Sequence, residues 1–129
     1  MSTTELDRRA LAEAAHVRLT WPSYEELVFA LVLAWGFCDA VSTLFAARFA
    51  GAGLEANPWV RVLLAREPLL VIALKMAVAL YVGVVLLECR TLVTRVPWWR
   101  GWLTAVAGAG ALVALINVYV GLAAVAAMV

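Results

Sequence analysis

The sequence predicts an all-α integral membrane protein: three transmembrane helices, a short interfacial helix between the first and second, and an N-terminal cytoplasmic helix. Three observations carry that expectation. Of 129 residues, 66% are hydrophobic and 15% charged, whereas soluble domains run at about 25% charged, so the chain lacks the charge to cover a globular surface. Three apolar runs, residues 27–47, 69–87 and 102–129, match the ~20 residues that a helix needs to cross a bilayer. The first two runs each hold a single charge, Asp39 and Lys75, of opposite sign. A lone charge at bilayer depth costs about 2.5–3.5 kcal/mol on insertion scales, so two of them on consecutive spans are expected to pair.

The chain divides into an N-terminal segment, residues 1–22, and a three-span domain, residues 23–129. Residues 4–19 are alanine-rich and helix-favouring, with Thr4 and Asp7 suited to the first turn. Leu6, Ala10, Ala14 and Val17 make only a weak stripe, which suits a short surface helix or a partly frayed tail rather than a deep membrane anchor. His16 is the only histidine, so no metal constellation is expected around it. Thr20, Trp21 and Pro22 break this helix. Ser23 followed by Glu26 has capping-box spacing, and Trp21 and Tyr24 suit a membrane interface.

The first span is expected over about residues 25–50, ending where Gly51 and Gly53 permit a turn. Ala50-Gly51-Ala52 has the form of a signal cleavage site, but a signal core is 7–15 residues and lacks a central acid, so the span is retained. Asn57 as cap and Pro58 as first helical residue then start a helix of about two turns, with Trp59 and the arginines at the headgroups. Glu67-Pro68 repeats the device and opens the second span, about residues 68–88. A basic, aromatic loop follows, whose Trp98, Trp99 and Trp102 form an interfacial belt. The third span covers about residues 101–128. Cys38 lies at mid-membrane and Cys89 at a span end, too far apart in depth for a disulfide, so both are expected as free thiols.

Arginine placement sets the expected orientation. Arg8, Arg9, Arg18, Arg90, Arg95 and Arg100 fall on one side, and Arg48, Arg61 and Arg66 on the other. The positive-inside rule puts the N-terminus in the cytoplasm and the C-terminus outside, in a multi-pass protein of the cell membrane. No aromatic-plus-basic array points to nucleic acid. The expected partners are the bilayer and either further copies of the chain or a larger membrane complex.

Alternating steps of four and three residues trace the seam between packed helices. The first span gives Val32, Gly36, Asp39, Thr43, Ala46 and Ala50. The second gives Ile72, Lys75, Ala79, Val82 and Leu86, and the third Ala107, Gly110, Ala114, Asn117, Gly121 and Ala124. These series collect small residues together with the polar group of each span, the composition of membrane helix interfaces. At about 1.5 Å per residue, Thr43, Lys75, Asp39 and Asn117 fall at compatible depths. A polar cluster of Asp39, Thr43, Lys75 and Asn117 is therefore expected, lidded by Glu55 and Asn57. Ser42 and Thr43 are also placed to bond a carbonyl one turn back.

Asp39-Ala40-Val41-Ser42-Thr43, then Glu55-Ala56-Asn57-Pro58, then mid-span Lys75 resembles an uncharacterised prokaryotic family of small polytopic membrane proteins. That family carries D-x-x-x-T, E-x-N-P and an intramembrane lysine in this order, and the resemblance covers roughly residues 30–120. It implies a membrane domain of unknown function and supplies no reaction.

Catalytic templates fail on the residues present: there is no intramembrane histidine base, no G-x-S-x-G and no Cys/His metal spacing. No catalytic residue, metal or cofactor is assigned. The leading expectation is a non-enzymatic membrane module or subunit with a buried polar cluster. A small proton or ion carrier using Asp39 and Lys75 is the alternative, and an intramembrane enzyme acting on a lipid or peptide through Glu55 and Asp39 is another.

Overall fold

The computed structural model describes residues 2–19 and 21–129, and every element among them is helical. In chain order these are α1 (Thr3–Leu19), α2 (Tyr24–Ala50), a 3-10 turn (Ala52–Leu54), α3 (Pro58–Arg66), α4 (Pro68–Glu88), α5 (Arg90–Val93) and α6 (Trp99–Ala127). Helices α2, α4 and α6 are long and apolar enough to cross a membrane, and the fold is that of a three-span membrane protein. The breaking role expected of Thr20, and those of the Ala14, His16 and Val17 side chains, lie outside the described residues. α1 starts at Thr3, with the Ser2 hydroxyl accepting from the Glu5 amide at 3.4 Å.

α2 is the middle helix. Half of its apolar window is buried within the protein, against 17% for α4 and for α6. α4 and α6 pack on α2 rather than on one another. The Ser23 hydroxyl accepts from the Glu26 amide at 3.2 Å, which starts α2 as the sequence predicts. Tyr24 departs from its interfacial expectation and turns inward. Its ring packs against Trp99 at 5.5 Å and its hydroxyl donates to the Leu86 carbonyl. With Leu27, Val28, Leu31 and Leu103 it forms the core of this end of the bundle. Trp99 therefore faces the core, while Trp98 and Trp102 remain exposed.

The contact between α2 and α4 corrects the expected seam. The buried positions of α4 are Val71, Ala79 and Gly83, which with half-buried Lys75 form a ridge of every fourth residue. Val82, expected inside, is 38% exposed. The reason is steric. A Cβ on Gly83 would sit 2.5 Å from Val32, and one on Gly36 would sit 2.9 Å from Ala79. Ala79-x-x-x-Gly83 is a small-xxx-small pair, which lets two membrane helices come this close, and that close approach selects the fourth-residue ridge. On α6 the expected series is buried or half-buried throughout. Trp35 packs on Gly110 and Phe45 on Gly121, each taking the space of a side chain.

Gly51 ends α2 with φ +90° and ψ 159°, a backbone region essentially restricted to glycine. Asn57 caps α3 by accepting from the Trp59 amide at 3.0 Å, with Pro58 first in the helix. Glu67 does not repeat that device, since its side chain makes no capping bond. Glutamate is not among the good N-cap residues, so Pro68 alone defines the start of α4.

Candidate functional site

α2 supplies three polar side chains to one face. Asp39, Ser42 and Thr43 stand at i, i+3 and i+4, the spacing that stacks residues on a helix surface. All three are buried, at 6%, 4% and 7% exposure. Just before them α2 loosens into a π-helix over Leu33–Cys38, where the Asp39 amide reaches back five residues to the Ala34 carbonyl. Within that segment Trp35 donates its indole N–H to the Val106 carbonyl of α6 at 2.8 Å. The π segment thus joins α2 to α6 one turn from the acid.

Lys75 of α4 donates to Asp39 Oδ2 at 2.7 Å and to Thr43 Oγ1 at 3.2 Å. Thr43 donates to Asp39 Oδ1 at 3.4 Å, and Ser42 donates to the Asp39 carbonyl at 3.1 Å. Asn117 of α6 donates from Nδ2 to Ser42 Oγ at 3.2 Å and to Thr43 Oγ1 at 3.3 Å. One network therefore ties all three spans. A charge pair in this setting gains from charge-assisted bonds, and each carboxylate oxygen has a donor. Among the described residues no buried side-chain polar atom lacks a partner.

The structure thus brings Asp39, Thr43, Lys75 and Asn117 together. Glu55 and Asn57 stand apart in the loop. Glu55 Oε1 accepts from the Asn57 amide at 3.2 Å, and its carbonyl accepts from Arg61 Nε and Nη2 at 2.9 and 2.7 Å. Glu55 nevertheless lines a chamber whose floor is Thr43 and Asn117, while Asn57 is taken up by capping α3. Ser42 belongs to the network through both its donor and its acceptor, although sequence reasoning assigned it only the carbonyl bond. The signal was its place at i+3 from Asp39. Trp35 was missed altogether, because an indole in an apolar run carries no mark of a cross-helix bond.

Among the spaces that border the cluster, one touches the ion pair and another touches Asn117. On the side where α4 and α6 diverge, a groove of about 560 Å³ runs along α2 past Trp35, Val78 and Val106, with Asp39 and Lys75 in its wall and Val60 of α3 beyond them. The Lys75 side chain is 23% exposed there, and that of Asp39 9%. Toward the loop lies the chamber, about 270 Å³, lined by Thr43, Gly51, Ala52, Glu55, Leu64 and Asn117.

A family model described as a domain of unknown function, DUF5658, matches residues 30–123, the stretch that holds α2 from its second turn to nearly the end of α6. No curated protein and no solved structure matches the chain.

Proposed function

The chain belongs to the DUF5658 family, a domain of unknown function, and we propose that it is a non-enzymatic membrane module whose intramembrane ion pair fixes the register of its three spans. One observation carries this reading: both hydroxyl protons of Ser42 and Thr43 and both carboxylate oxygens of Asp39 are engaged within the cluster, and the bonds reach every span. Buried ionic groups of this kind are best attested as devices of register and specificity. The enzyme reading gains no support, because both Asp39 oxygens are held by Lys75 and Thr43 while Glu55 is held in the loop. The unclosed groove between α4 and α6 favours a module that associates laterally, with a second copy or another membrane chain. Its arginines favour a cell-membrane orientation with the N-terminus in the cytoplasm and the loop holding Glu55 outside.

A second reading has its own observation. The pair lines the groove with Lys75 partly open to it, and Thr43, bonded to both members of the pair, lines the chamber, which is a placement that suits a proton or ion carrier. Reconstitution separates the two. In vesicles with an entrapped pH indicator and an imposed gradient, the lock reading expects wild-type protein to leak no faster than Asp39→Asn/Lys75→Met. Flux present in wild type and lost in a folded double variant would overturn the lock and establish the carrier.

A further inference from the structure

We propose that the chamber beside the loop binds a small organic cation bearing N–H donors, a primary ammonium group, between Glu55 and Asn117. Ser42 has one hydroxyl proton and gives it to the Asp39 carbonyl; Thr43 has one and gives it to Asp39 Oδ1. Each hydroxyl can therefore meet Asn117 only as an acceptor. That fixes the amide, with Nδ2 toward the two hydroxyls and Oδ1 turned away. Among the described residues no group donates to this Oδ1. No buried side-chain polar atom among them lacks a partner, so the oxygen is open, and Asn117 lines the chamber.

Glu55 repeats the pattern. One carboxylate oxygen accepts from the Asn57 amide, no group among the described residues donates to the other, and Glu55 lines the same chamber. The side-chain atoms offered to an occupant by Glu55 and Asn117 are thus acceptors, one of them charged. Lys75 does not line the chamber and is matched by Asp39, while the Arg61 guanidinium is engaged by the Glu55 carbonyl. Glu55 is thus the charged residue on the chamber's wall, and neither cation lines it. Leu64, Ile116 and Val120 complete the lining and suit a short alkyl stem. At about 270 Å³ the space is near the lower end of ligand sites, about 300–1,000 Å³, which limits the occupant to a small molecule or a headgroup. An ammonium could come from a free amine or from an ethanolamine lipid headgroup. The chemistry is the same.

The test uses the full chain in phosphatidylcholine nanodiscs, with ethylammonium as probe and tetramethylammonium, which has the charge but no N–H, as comparison. Ethylammonium should raise the unfolding midpoint saturably and tetramethylammonium should not. Glu55→Gln, and separately Glu55→Ala, should leave the probe-free midpoint near wild type and weaken binding by about tenfold or more, ~1.4 kcal/mol. Moving to phosphatidylethanolamine discs identifies the source: loss of probe binding supports a headgroup occupant, and retention supports a soluble amine. No saturable ethylammonium effect in either disc, an equal effect of tetramethylammonium, or unchanged binding in both Glu55 variants would overturn the proposal.

Discussion

Breaking the Asp39–Lys75 pair from each side should produce unequal losses that disappear together. Lys75→Met leaves a carboxylate at 6% exposure with the Thr43 hydroxyl as its one remaining side-chain donor. Removing one partner of a buried pair costs about 3–5 kcal/mol, and an unpaired acid at span depth about 2.5–3.5 kcal/mol, so a loss of about 3 kcal/mol is expected. Asp39→Asn is gentler. The amide oxygen can still accept from Lys75, and that lysine already opens at 23% toward the groove, where its stem can carry the charge away. A loss of about 1–2 kcal/mol follows, within the range for an unmade buried bond. The double variant Asp39→Asn/Lys75→Met strands no charge and should return to within about 1 kcal/mol of wild type, a coupling at or above the upper end of the 0.5–3 kcal/mol seen for contacting residues. Reversible unfolding in mixed micelles, followed by tryptophan emission, reads all four corners of the cycle. If Lys75→Met melts with wild type, or if the double variant loses the sum of the singles, the ion pair does not hold the spans and the proposed function fails with it.

Three other substitutions probe separate parts of the frame by the same unfolding assay. Gly51→Ala places a side chain at φ +90° and ψ 159° and should cost about 1–3 kcal/mol of backbone strain, whereas Gly53→Ala, with no atom within 4 Å of a new Cβ, should cost little. Gly110→Ala sets a Cβ 2.8 Å from Trp35 Nε1; it should cost about 1–3 kcal/mol from overpacking and shift indole emission as the Val106 bond breaks, and Trp35→Leu in the same chain should recover part of the loss. Glu25→Gln removes the Arg90 partner from a pair whose side chains are 50% and 55% exposed, and should cost no more than about 1 kcal/mol.

The spans and the cluster were legible because they depend on signals that survive in one dimension. Length and hydropathy give the helices, and a lone charge in an apolar run must be answered by another polar group, which left Asp39, Lys75 and Asn117 few ways to be arranged. The α4 ridge was not read correctly, although Ala79 and Gly83 stand at small-xxx-small spacing. Hydropathy cannot tell a lipid-facing valine from a protein-facing one, since lipid tails are as apolar as the interface. Choosing between Val82 and Gly83 required knowing which α2 atom, Val32, would meet them. Tyr24 and Trp99 were assigned to the interface by type, but each has an apolar body that fills a core once α6 supplies the opposite wall.

A single seam per helix was the wrong premise for α2, and the π segment shows why it mattered. A middle helix must offer one face to α4 and another to α6 along the same stretch. A regular helix turns about 100° per residue, so the residues serving each face are fixed once the register is set. The widened turn at Leu33–Cys38 alters that relation between the part of α2 before it and the part after. It lets Trp35 reach Val106 on one neighbour and Gly36 close on Ala79 of the other, with Asp39 following directly in line with Lys75. π-bulges are frequent at functional sites, and this one adjoins the only acid within the α2 apolar run. The indole bond to α6 is thus made from within the irregular turn and the pairing of that acid with α4 directly after it, so a change at either should be felt by the other.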